Sequence, residues 1–192
     1  LAQMASKAHE ELAIIMWQGD STLNAISEPI KSKCDGWLKR LCGLNPIRVA
    51  SNTVTASTVI ADLGDVVSAA TDEMQVNAAG MKLMVSPNVA TAYRIATASA
   101  NTINYTTAAL NLQFLDIPIV VHYGLPSDTI IYSDPNNFIY ALDAEGDVDN
   151  LQIVDFSKTT LAREIGARAD FKVGFYITNS EQIVLFGDCV AS

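Results

Sequence analysis

The hydrophobic pattern changes once along this chain, and that change limits what it can fold into. Up to about residue 99 apolar side chains recur mostly at helical spacing; from Phe114 onward they come in short runs of strand character. Helices followed by a series of strands point to the α+β class. Met4, Ala8, Leu12, Ile15 and Met16 form the first stripe, with Lys7, His9, Glu10 and Glu11 mostly off it. An amphipathic helix is expected from Leu1 to Gln18, stopped at Gly19-Asp20 and long enough to act as a spine across a sheet.

Ser27-Glu28-Pro29 offers a helix cap and a first-turn proline. A second helix is expected from there to Gly43, with Ile30, Cys34, Trp37, Leu38 and Leu41 on its apolar face. A third is expected over residues 56–70, with Val59, Ile60, Leu63, Val66 and Val67 inward and Asp62 and Asp65 outward. A strand over Met81–Val85 then leads through Ser86-Pro87 into a helix ending near Ser99.

The β part contains Ile117–Val121, Thr129–Tyr132 and Phe138–Leu142, separated by Gly124-Leu125-Pro126 and Asp134-Pro135-Asn136 turns. Leu151–Phe156 reads as another strand. Phe171, Val173, Phe175 and Ile177 alternate with Lys172, Gly174, Tyr176 and Thr178, a strand with one buried face. Thr178–Glu181 then turns it back into Gln182–Phe186, so a closing hairpin is expected, with the first helix packed on it.

Composition narrows the function classes. Of 192 residues, 49% are hydrophobic and 17% charged, which excludes an intrinsically disordered chain and allows a sizeable core. The net charge of −9 excludes a general nucleic-acid coat, which needs a positive field to displace counterions. Basic residues do not interleave with aromatics, so neither single-strand nor sequence-specific nucleic-acid binding has support. The longest apolar run, Leu12–Trp17, is far short of a membrane span. Lys7, Glu10 and Glu11 stand where a secretory signal would be apolar, and a start at Leu1 reads as a piece of a longer chain. Cys34, Cys42 and Cys189 form no metal-finger spacing, and reduced thiols of a cytoplasmic product are expected.

Charge also divides the chain. Residues 1–50 hold six basic and five acidic side chains, residues 51–149 two and eleven, residues 150–192 four and five. An acidic middle is thus flanked by two nearly neutral ends. A discontinuous domain of 1–50 with 150–192, interrupted by an insertion at 51–149, fits that pattern.

Few residues suggest chemistry. His122 lies in the apolar run Ile119–Tyr123 and reads as a core or strand histidine; no nucleophile turn surrounds Cys34 or Cys189. Phosphate-binding glycine loops are missing. No catalytic residue and no cofactor is expected. One polar cluster remains, Asp143, Glu145, Asp147 and Asp149 around Gly146. It resembles the start of a calcium loop but lacks the closing glutamate, so a solvated turn is the plainer reading and a metal site the alternative.

The order of elements resembles the major capsid protein of tailed bacteriophages with the Hong Kong 97-like fold. The residues that carry the likeness are Cys34–Leu38, Met81–Pro87, Leu115–Val120 leading through Gly124–Thr129 to Ile130–Asp134, and Ala167–Phe175. The resemblance implies a spine helix on an antiparallel peripheral sheet, with peripheral domain 1–50 plus 150–192 and axial α/β domain 51–149. It implies a non-enzymatic shell subunit of a phage or prophage, forming pentamers and hexamers round the genome. Partners would be copies of itself, with portal, scaffold and maturation proteins. The site of action would be the virion capsid, assembled in the bacterial host cytoplasm. The family's N-terminal arm and extended loop would precede Leu1 and are absent from this sequence. Round a symmetry axis the acidic loop would either face solvent or bind a divalent cation. Open alternatives are an encapsulin-like cellular compartment shell and, from other classes, an enzyme or binding module of unknown specificity.

Overall fold

The computed structural model describes residues 2–99, 112–142, 151–155, 165–169 and 172–188, with side chains at 6–98, 112–141 and 172–188. The fold is mixed α+β. Five helices are described: α1 (Ala2–Gln18), α2 (Trp37–Gly43), α3 (Val59–Ser68), α4 (Asp72–Val76) and α5 (Pro87–Ser99). The strands are β1 (Ile47–Val49), β2 (Lys82–Val85), β3 (Gln113–Phe114), β4 (Ile117–Val121), β5 (Ile130–Ser133), β6 (Phe138–Leu142), β7 (Leu151–Asp155), β8 (Ile165–Ala169), β9 (Val173–Ile177) and β10 (Ile183–Phe186).

Six strands form one mixed sheet in the order β1-β10-β5-β2-β4-β3. β1 runs parallel to β10 and β2 parallel to β4, while β5 runs antiparallel to both β10 and β2. Both faces of this sheet are covered. Leu83, Val85, Ile130, Tyr132, Val184 and Phe186 pack with Val59, Leu63 and Val66 of α3, Met74 of α4 and Val89 of α5. Met84, Ile131, Ile183 and Leu185 point the other way, into a second cluster with Trp17, Trp37, Leu38, Leu41, Phe175 and Ile177. Double coverage is why β5 and β10 are buried at every position and, apart from Ser133 at the end of β5, read as apolar runs.

The expected closing hairpin does not form. β9 pairs antiparallel with β6, from Phe138↔Ile177 to Leu142↔Val173, whereas β10 enters the six-stranded sheet between β1 and β5. The physical reason is burial on two sides: β10 needs cover on both faces, and a two-stranded hairpin supplies none. β7 and β8 pair antiparallel with each other. The strand pairings therefore divide the chain differently from its charge. Strands from 47–133 share a sheet with 183–186, and the ribbon strands come from 138–177.

The first helix ends at Gln18 as its pattern predicts, but it packs on α2 and the loop before it. α2 in turn lies on β9. The second helix is also shorter than expected. Residues 21–36 are turns with one 3-10 turn at Lys31–Lys33, and α2 begins only at Trp37. Backbone crowding explains the break. Gly36 N–H donates to the Gly19 carbonyl at 2.8 Å, and a Cβ on Gly36 would sit 2.6 Å from the Ile15 carbonyl oxygen. Two backbones touch where a helix would have needed room for side chains.

Two further expectations are corrected. Ile60 is half exposed, and Asp62 faces inward at 4% exposure. Cys42 is disulfide-bonded where reduced thiols were expected, while Cys34 is free and half-buried; sequence spacing does not reveal which thiols folding brings together.

Candidate functional site

The spine end is held by close packing. Trp17 is 1% exposed and meets the rings of Trp37, His122 and Phe138 at 5.0, 5.3 and 5.4 Å. Gln18 Nε2 donates to the Gly124 carbonyl at 2.7 Å, and a Cβ on Gly124 would overlap the Ala13 carbonyl. Trp37 Nε1 donates to the carbonyls of Ile139 (3.3 Å) and Tyr176 (3.2 Å), residues paired across β6 and β9. His122 is thus a packing residue, as its apolar run suggests, and burial holds its imidazole below the ordinary value. No nucleophile–base pair forms around it among the described hydrogen bonds.

The loop after α1 is fixed by two carboxylates. Asp20 is fully buried; it accepts from Thr22 Oγ1 at 2.6 Å and Thr22 N–H at 2.9 Å, and pairs with Lys39 at 3.1 Å. The Thr22 hydroxyl bond is the main cause of its lowered pKa, with Lys39 adding to it against burial. Asp35 accepts from the Ser21 N–H and hydroxyl, both at 2.8 Å, which holds its carboxyl low as well.

A polar cleft of about 390 Å³ lies at one edge of the six-stranded sheet. Its position follows from strand direction. β1, β2, β4 and β10 share one direction, so their carboxyl ends meet at the edge where β5 begins. Ser51, Asn52 and Thr53 follow β1, Gly187 and Asp188 follow β10, and Pro126–Thr129 precede β5. Such edges favour ligand sites because loops converge there. Asp128 is anchored with a φ of 59°: its Oδ1 accepts from Val54 N–H (3.1 Å) and Asn88 Nδ2 (2.7 Å). Ser51 Oγ donates to Asp188 Oδ1 at 2.8 Å, and Asn52 Nδ2 donates to Asp62 Oδ1 at 3.2 Å.

Sequence reasoning missed this cleft, since its residues come from three distant stretches. The turn at Gly124–Thr129 was the only signal that could have pointed there. The predicted acidic cluster, Asp143, Glu145, Asp147 and Asp149, lies outside the described residues, as does Cys189. Among the described residues no group of three or more His, Cys, Asp or Glu is placed to hold a metal, and no helix is long and apolar enough to cross a membrane.

No family model and no curated protein matches the chain. Solved structures do. The fold is similar to that of a chain in the satellite phage P4 procapsid including size determination (Sid) protein, with a TM-score of 0.64 at 10% identity, covering 96% of this chain. A chain of Mycobacterium phage Che8 is similar over 78% of this chain, with a TM-score of 0.53 at 13% identity. The fold is therefore one found in phage structures. This chain spans 64% of the length of the P4 procapsid chain and 55% of the Che8 chain.

Proposed function

We propose that this chain is a structural subunit of a phage capsid, with the Hong Kong 97-like major capsid fold, and not an enzyme. The observation that carries the reading is the likeness to the P4 procapsid chain over almost the whole of this chain. In this reading copies close into pentamers and hexamers round the genome, with portal, scaffold and maturation proteins as further partners, and assembly takes place in the bacterial host cytoplasm. α1, α2 and the ribbon strands make the peripheral part; the six-stranded sheet with α3–α5 makes the axial part. In this reading the boundaries fall near residues 46, 134 and 178, which sheet membership supports, in preference to the charge boundaries at 50 and 150.

The surface supports self-association. Ile139 and Tyr176, directly opposite across β6 and β9, are 42% and 58% exposed, and Ile26, Val76, Leu115 and Tyr123 are more exposed still. Of these, Ile139 and Tyr176 are neighbours, and it is adjacent apolar side chains, not scattered single ones, that a second copy would cover.

Sedimentation velocity and electron micrographs of the intact gene product test the reading. Rings or closed particles are the expected result. A protein that stays monomeric at all concentrations, with and without its neighbouring phage genes, overturns it.

A further inference from the structure

Asp35-Gly36 is the one Asp-Gly or Asn-Gly step in the sequence. Such a step is chemically weak in an unfolded chain. The glycine has no side chain to shield its nitrogen, and that nitrogen is one ring closure away from the aspartate carboxyl carbon. The fold places this step where the loop before α2 meets the end of α1, and it restrains both reacting groups. The Gly36 N–H, whose nitrogen would attack, donates to the Gly19 carbonyl at 2.8 Å. The Asp35 carboxyl, which would be attacked, accepts the Ser21 N–H and hydroxyl on Oδ1, both at 2.8 Å. Those bonds favour the ionised carboxylate, the form that the nitrogen displaces poorly. Arg40 Nε donates to the Asp35 main-chain carbonyl at 3.4 Å. Gly36 itself is buried, and the Ile15 and Met16 carbonyl oxygens lie within 2.9 Å of its Cβ position, which leaves its backbone little room to turn toward the Asp35 side chain.

We propose that Asp35-Gly36 is a gated self-modification site, shut while the α1–α2 junction is closed and converting to isoaspartate when that junction opens. The proposal stands on this loop geometry and not on the shell reading. The Gly36 nitrogen attacks Asp35 Cγ in its neutral carboxyl form. The nitrogen loses its proton, the carboxyl loses its hydroxyl, and one water leaves as a five-membered succinimide closes. Solvent water then adds to either ring carbonyl. Opening at Cγ restores aspartate; opening at the former main-chain carbonyl carries the peptide through Cβ and Cγ. The net change is an isomerisation without gain or loss of mass.

The product does not fit the junction. Isoaspartate adds one carbon to the main chain at the contact with Gly19, and it turns the carboxyl carbon that faced Ser21 into a peptide carbonyl. Ser21 loses its charged acceptor, and Gly36 loses its register with Gly19. Opening followed by reaction is therefore a one-way step, which marks chains that have come apart at α1.

The test holds the intact protein in mildly acidic buffer, folded or in urea, and reads isoaspartate at residue 35 by peptide mapping with electron-transfer fragmentation. Product is expected in urea and is expected to form at least about tenfold more slowly in the folded protein, because opening breaks hydrogen bonds to a charged acceptor. Ser21 is exposed, so Ser21→Ala leaves the core intact and should speed the folded reaction by about threefold to tenfold. Asp35→Glu should abolish the product in urea. Hydrogen exchange of the unaltered protein should find the Gly36 amide protected, a readout that needs no variant. Isomerised chains returned from urea should melt at a lower temperature than unmodified chains returned alongside them. No isoaspartate at residue 35 in urea overturns the site. Equal rates folded and unfolded, an unprotected Gly36 amide, or a folded rate unchanged in Ser21→Ala overturns the gate. Refolding of isomerised chains to an unchanged melting temperature overturns the one-way step.

Discussion

The indole rings of Trp17 and Trp37 meet edge to face, with centroids 5.0 Å apart and planes at 68°. That contact joins the end of α1 to the start of α2, and through Trp37 to the β6–β9 ribbon. The two indoles are not equivalent. Trp37 Nε1 bonds two carbonyls, whereas Trp17 Nε1 is buried with no acceptor.

Truncation and conservative exchange should therefore separate them. Trp37→Ala is expected to cost about 3–5 kcal/mol, and Trp17→Ala a similar amount. Trp37→Phe leaves two carbonyls short of a donor and is expected to cost about 1–3 kcal/mol. Trp17→Phe loses only volume and edge contact, and should cost less than Trp37→Phe. Urea denaturation of the four variants checks the order; equal costs for the two Phe variants would contradict the hydrogen-bond assignment.

Glycine substitutions should split by place. A Cβ at Gly36 would lie within 2.9 Å of two α1 carbonyl oxygens, of Ile15 and Met16, and of the Gly19 nitrogen, and one at Gly124 would meet the Ala13 carbonyl, so backbone must shift in both cases. Gly36→Ala and Gly124→Ala are expected to destabilise by about 1–3 kcal/mol or more, the range of overpacking. Gly64, inside α3, has nothing within 4 Å of its Cβ position. Gly64→Ala should stabilise by about 0.5–1 kcal/mol through helix propensity. Thermal melts of the three variants decide the signs.

Acid should act in two windows. Burial against Trp17 lowers the His122 pKa below 6.5, so the unfolded chain binds the proton more readily than the folded one. Stability is expected to fall as pH drops below about 6.5, until the folded imidazole also protonates. A His122→Gln variant should lack that slope. Asp20 and Asp35 have folded pKa values below 3.8, through the Thr22 and Ser21 hydrogen bonds respectively. Their contribution is present above that value and is lost as pH falls through the folded pKa. The stability gap between the protein and Asp20→Asn should therefore shrink only below about pH 3.8. Guanidinium midpoints measured from pH 7 to 2 separate the two windows; a gap closing near pH 6 would refute the Asp20 assignment.

Thiol chemistry offers a separate check. Without reductant, maleimide followed by peptide mass mapping should label Cys34 and spare Cys42. Labelling of Cys34 is expected to be slow, because burial, with Asp35 adding, pushes its thiol above its ordinary value. After reduction, Cys42 should label as well. Immediate labelling of Cys42 without reductant would contradict its disulfide.

Local physics written into the sequence determined much of this molecule. Helical spacing and the Gly19 stop set α1; Ser86-Pro87 started α5; period-two alternation put Phe175 and Ile177 inward and Tyr176 outward. Each depends on side chains within a few residues of one another, so a short window suffices. Partnership was decided only by the tertiary structure. Leu185 is apolar whether its strand folds back on β9 or lies between β1 and β5, and nothing nearby distinguishes the two. Likewise Asp62 looks like a solvated helix residue until Asn52 is brought beside it from ten residues away. Strand order, the two-sided burial of β10 and the convergence of Ser51, Asp128 and Asp188 all depend on contacts between distant segments. Such contacts carry no local period, and they became visible only once the chain had closed on itself.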